Sequence, residues 1–227
     1  QATTYGVSTA TTGAAAITLV GLNIDLLDAT ATDDAITVNL NNTQANLANV
    51  ATVTAIGAPD IETITINADS ASSTTTALSD DVTVTTLAAD DITALTITGD
   101  ADFTITNALG GATVPVDTVN ASGATDAVNL TFDGSDITYT GGTGVDTLSF
   151  GTSLTSADSI DGGDGSDVVN ATFNAGTITP AAMTSVETFN ATFTGGALNA
   201  SNLADLTTLS IANAEASSVV SGLSATT

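Results

Sequence analysis

The sequence predicts an all-β protein, a parallel β-helix or β-roll solenoid with coils of about 20 residues. Three observations predict it. Short blocks alternate apolar residues with threonine, as in DDAITVNL (Asp33 to Leu40) and DDVTVTTL (Asp80 to Leu87), and a period of two is the strand signal. Acidic residues lead these blocks at a recurring interval. Asp60, Asp81, Asp102, Asp126, Asp146, Asp167 and Glu187 follow one another every 20 to 24 residues, and Asp205 comes 18 later. Finally, two glycine turns, GGTGVD (Gly141 to Asp146) and GGDGSD (Gly162 to Asp167), stand 21 residues apart, which puts them on one edge of successive coils. A β-sandwich of short Thr/Val strands is the alternative fold.

The elements follow in order. Residues 1–16 form an N-terminal arm, read either as a loose terminus or as an arm that adds a strand to a neighbouring subunit. Residues 17–115 carry degenerate solenoid coils. Their strand blocks are ITLVGL (Ile17 to Leu22), Asp33 to Leu40, Val50 to Gly57, Asp60 to Ile66, Asp80 to Leu87, Asp91 to Ile97 and Asp102 to Thr106. Asn42 to Val50 is the best short helix candidate. A glycine pair and Pro115 in ALGGATVPV (Ala108 to Val116) argue against a central strand there. Residues 116–227 carry the coils with the two glycine turns. Their blocks are Ala127 to Phe132, Asp136 to Thr140, Asp146 to Phe150, Asp167 to Phe173, Val186 to Phe193 and Leu206 to Ala212. Phe132, Phe150, Phe173, Phe189 and Phe193 all fall in this half and are expected to stack as a core ladder.

Composition narrows the function. The 227 residues include 25 Asp or Glu and no Lys, Arg, His or Cys, for a formal charge of −25. The chain can form no side-chain salt bridge and no disulfide. Each carboxylate must be solvated, hydrogen-bonded, or held by a metal. Self-repulsion opposes compaction, and bound divalent ions are the simplest remedy. Nucleic acid is not an expected partner, because neutralising phosphates takes Lys and Arg. A basic patch for an anionic membrane is likewise absent, and no apolar run approaches the length of a membrane span. Without His, Cys or Lys the usual general bases and nucleophiles are missing. Paired carboxylates alone could serve glycoside hydrolysis, yet a sugar-acid substrate would need a cation to hold it. The chain is therefore expected not to be an enzyme. It begins at Gln1 with no positively charged leader, which reads as a processed secreted product or a piece of a longer protein.

The candidate site is the glycine edge. Glycines permit the φ > 0 backbone of a tight turn and bring carbonyl oxygens together, while an Asp adds charge for a hard cation that takes six to eight oxygens. The expected ion is Ca²⁺. Its side-chain ligands are Asp146 and Asp167, with Asp161 and Asp164 adding charge. The carbonyls of Gly142, Thr143, Gly144, Gly163, Asp164 and Gly165 complete the shell. Asp126, which ends a degenerate third turn in ASGATDAVN, is a weaker candidate. The competing reading for acidic residues here is local turn capping.

These residues resemble those of bacterial S-layer proteins of the RTX-type, Caulobacter-like group. The resemblance is carried by GGTGVD, GGDGSD, DIETITINA (Asp60 to Ala68) and SVETFNATF (Ser185 to Phe193). It implies a secreted, calcium-dependent β-solenoid at the cell surface that assembles with copies of itself into a lattice or filament, with cell-surface polysaccharide as a further partner. The alternative is a binding module, a calcium-dependent adhesin or an ice-binding solenoid. Thr-x-Thr triplets such as Thr63 to Thr65 and Thr83 to Thr85 support the latter, although their spacing in the sequence is uneven.

Overall fold

The computed structural model describes residues 3–9, 17–24, 33–42, 50–70, 81–112, 114–134, 136–180, 182–213 and 218–223. Among them the secondary structure is β throughout, and every strand pairing is parallel. Strands are numbered in chain order. One eight-stranded sheet runs β1 (Thr3–Thr9), β4 (Ala35–Asn42), β6 (Thr63–Ser70), β8 (Ala94–Gly99), β10 (Thr118–Ala124), β12 (Thr138–Thr140), β14 (Ser159–Asp161) and β17 (Ala182–Thr184). A ten-stranded sheet runs β2 (Ile17–Leu19), β5 (Ala51–Gly57), β7 (Val82–Ala88), β9 (Phe103–Ile105), β11 (Val128–Thr131), β13 (Thr147–Gly151), β15 (Val168–Phe173), β18 (Thr188–Phe193) and β20 (Thr208–Ala212), with β3 (Leu22–Asn23) beside β5. A small third sheet joins β16 (Thr177–Ile178), β19 (Ala197–Asn199) and β21 (Val219–Ser221). The chain passes between sheets and returns one level on. This is a parallel solenoid, as the alternation and recurrence predict, and not a sandwich of antiparallel strands.

Alternation builds the core. In β4 every second residue is buried, and in β6 every second one as far as Ala68, as the pleat of a strand requires. Register then stacks like on like. Ile36, Ile64, Leu95, Val119, Tyr139, Ile160 and Met183 form one inward row of the eight-stranded sheet. Leu130, Leu148, Val169, Phe189 and Leu209 form a row of the other. The phenylalanines pack inside as the sequence predicts. Phe132 stacks on Phe150 at 4.9 Å and Phe173 on Phe193 at 5.2 Å between centroids.

Coil length departs from the expected 20 residues in the first half. Ala35 pairs with Thr63, and Ala51 with Val82, because long connections separate those strands. Asp60 is consequently not the counterpart of Asp81. It occupies a turn at φ 59°, while the Ala51 N–H reaches the Asp81 carbonyl at 2.8 Å. In the second half the coils shorten. Thr147 pairs with Val168, and Val168 with Thr188. Within the N-terminal segment, Thr3–Thr9 form a strand that pairs in register with Ile36–Asn42 of the same chain. The helix candidate falls largely on residues 43–49, outside the described residues. The segment around Pro115 forms no named strand, although Leu109, Val114 and Val116 are buried.

Candidate functional site

The glycine turns connect β12 to β13 and β14 to β15, and they lie directly over one another. The Gly141 N–H donates to the Asp161 carbonyl at 2.8 Å, and the Asp164 N–H to the Gly142 carbonyl at 2.9 Å. Below them, the Thr143 N–H reaches the Ala124 carbonyl at 3.1 Å. The glycines are needed because backbone meets backbone. A Cβ on Gly162 would overlap the Ser185 carbonyl oxygen and Asp167 Oδ2. Gly163 and Gly165 also sit at φ 89° and 141°, where a side chain is strained.

Behind the turns stands a ladder of acids. Three of them, Asp146, Asp167 and Glu187, accept a backbone N–H of the coil before them. Asp102 Oδ1 takes the Ala127 N–H at 3.0 Å from the coil after it, an exception in direction that caps the same corner. Asp146 Oδ1 takes the Val128 N–H at 2.9 Å, Asp167 Oδ1 takes the Asp146 N–H at 2.7 Å, and Glu187 Oε2 takes the Asp167 N–H at 2.8 Å. A chain without cations thus satisfies inward carboxylates with main-chain donors, which bond more strongly to a charged acceptor. Asp158 does the same at another corner, taking the Ile137 N–H at 2.7 Å and the Thr155 N–H at 2.6 Å.

The two motif aspartates differ in what remains free. Asp146 is 1% exposed. Its Oδ2 also accepts the Tyr139 hydroxyl at 2.6 Å, and the Gly142 N–H adds a further bond. Burial raises its pKa while these bonds oppose the rise. Tyr139, buried beside this carboxylate, is held firmly in its protonated form. Asp167 is 2% exposed, and its Oδ2 accepts no hydrogen bond from the described residues. Burial first, then the neighbouring Asp146, Glu187 and Asp161, push its pKa up to about 7.

The predicted ligands are only partly brought together. The main chains of Gly142, Gly144, Gly163 and Gly165 are stacked in successive turns. Asp126, Thr143, Asp161 and Asp164 face solvent. Asp126 comes close through its main chain alone, which runs against Gly144. Its own pKa is raised by partial burial and then by Asp102 and Asp100. Among the described residues no three acidic side chains form a group arranged to hold a metal. Asp146 fits a metal poorly, because its oxygens already serve three donors. Asp167 fits, since Oδ2 is buried, unsatisfied and on the same side of Gly162 as the Ser185 carbonyl. Tyr139 at this corner and Asp158 at the other are capping partners that the sequence did not reveal. Tyr139 occupies a row that is otherwise aliphatic, and that row is visible only once the register is known.

No family model, curated protein or solved structure matches the chain.

Proposed function

We propose that the chain is a secreted structural protein that self-assembles, with calcium, into an extracellular surface layer or filament. The observation that carries this reading is the buried Asp167 Oδ2, which accepts no hydrogen bond from the described residues and lies in a corner of carboxylates within a continuous parallel stack. Among the described residues nothing pairs with the outer edges of β20 and β21, and Ile211, Val219 and Leu223 are each at least half exposed there. Open strand edges invite further strands. Because all strands run parallel, the complement of this C-terminal end is the β1 and β2 edge of another copy. Such head-to-tail contacts propagate without closing unless a rotation returns them to the start.

Calcium enters through Asp167. A hard cation supplies positive charge to a corner of carboxylates that has none of its own. Asp167 Oδ2 and main-chain carbonyls of the glycine turns would hold it, and Asp146 keeps its place as a cap on the coil below. Catalysis has no support in the residues present, since no His, Cys or Lys occurs.

A binding module, as an adhesin or an ice-binding domain, is the second reading. It is favoured by a threonine rank on the ten-stranded sheet. Thr18, Thr52, Thr83 and Thr104 stand over one another, and the rank resumes at Thr147, Thr188 and Thr208. Light scattering after size exclusion, in millimolar calcium and after chelation, separates the readings. Assembly that grows with calcium supports the structural protein, and a monomer under both conditions supports the binding module.

A further inference from the structure

None of the ten strands in the β2-to-β20 sheet contains Asp or Glu. The other large sheet does carry them, at Asp69 in β6 and Asp161 in β14. The outward positions of the ten-stranded sheet hold threonine, serine, asparagine and small apolar residues. They are also laced together. The Asn190 side-chain amide donates to Asn170 Oδ1 at 2.8 Å, and that of Asn170 to Ser149 Oγ at 3.2 Å. Within one copy, the absence of acids avoids like charges stacked across neighbouring strands, which repel. Between copies it has a second consequence. Two molecules of charge −25 carry their carboxylates mainly in the turns that border the sheets, whereas across the strands of this face they meet only hydroxyls, amides and methyls.

We propose that this uncharged face pairs with the same face of a second copy, as a two-fold lateral contact between solenoids. The inference rests on the self-assembly reading and adds a lateral direction to the end-on one. Small side chains on parallel, in-register strands, with an asparagine ladder among them, are the composition of dry interdigitated sheet interfaces. Strands about 4.8 Å apart make the face roughly 40 Å long, and one to three outward residues per strand make it roughly 12 Å wide. Each copy then buries roughly 500 Å², about 1,000 Å² in total, at the lower edge of specific interfaces. A single pair is weak and is reinforced by repetition in a layer or filament. Ice is the rival flat, uncharged partner. The threonine rank is broken at Asn129 and Val168, whereas the exclusion of charge is unbroken, and this favours the second copy.

Sedimentation velocity of the full chain in millimolar calcium, over a concentration series at low and raised salt, tests the proposal. The expected result is concentration-dependent self-association, dimers first and larger species as concentration rises, that tightens with salt as repulsion between the remaining surfaces is screened. Thr104→Asp, at the middle of the face, should weaken it tenfold or more. Thr96→Asp, at a matching central position of the eight-stranded sheet, should leave it unchanged. Ser210→Asp on the exposed edge strand β20 repeats the test where folding is less demanding, and thermal melts establish that each variant is folded. Equal weakening by Thr104→Asp and Thr96→Asp, or no weakening by Thr104→Asp and Ser210→Asp, overturns the lateral contact. A monomeric wild type whose thermal hysteresis is abolished by Thr104→Asp assigns the face to ice instead. Filaments of unchanged width in the Thr104→Asp variant overturn this contact but leave the structural reading standing, whereas a wild type that never assembles sinks both.

Discussion

Asp167→Asn should change sign with calcium. In the wild type the Asp167 carboxyl titrates near 7 instead of its ordinary 3.8, so above neutral pH the ionised group is held at a loss of about 4 kcal/mol relative to an unperturbed one. Asparagine removes the charge at nearly the same volume. Its Oδ1 can still accept the Asp146 N–H. The neutral acceptor is weaker than a carboxylate and returns about 1 kcal/mol. In chelator at pH 8 the variant should therefore be more stable by about 2–3 kcal/mol, a rise in Tm of roughly 4–12 °C for a chain of this size. With calcium at a hundredfold over its Kd the wild type gains about 2.7 kcal/mol, the variant gains little, and the difference closes or reverses. Thermal melts followed by circular dichroism, with and without calcium, read all four values. A variant less stable than wild type in chelator would refute the burial argument. An equal response of both chains to calcium would refute the ligand role of Asp167.

The same carboxyl sets a pH dependence. Its folded-state pKa lies above the unfolded value, so the stabilisation is fully present below about pH 4, declines as pH rises toward about 7, and is gone above it; urea midpoints measured in chelator across this range should fall, and should flatten when calcium is present. Gly162→Ala should destabilise the fold severely with or without calcium, because its Cβ overlaps the Ser185 carbonyl and Asp167 Oδ2; a melt within a degree or two of wild type would contradict the close stacking of the turns. Phe173→Ala removes a ring stacked on both Phe189 and Phe193 and should cost about 3–5 kcal/mol, measured as a lower denaturation midpoint.

The all-β class was legible because strands such as AITVNLNN and VVNATF alternate over six or more residues. Strands with a single inward apolar residue were not. Ser159–Asp161 offers only Ile160, and Ala197–Asn199 only Leu198, and one residue makes no period. Their positions are fixed by pairing with a neighbouring coil, which is a tertiary fact. The recurrence of acids pointed to a real ladder from Asp146 through Asp167 to Glu187. It misplaced Asp60 and Asp126, because connections of variable length shift the register without altering composition. The site was legible to the same extent. Glycine turns and their aspartates can be read from spacing, but which aspartate is saturated by Tyr139 and which keeps a free oxygen depends on packing.

Electron microscopy of the purified chain in millimolar calcium, and again after exhaustive chelation, bears most directly on the proposal of a calcium-dependent structural protein. Ordered sheets or fibres that disperse on chelation are the predicted result. Monodisperse particles in both conditions, or assemblies indifferent to chelation, would contradict it.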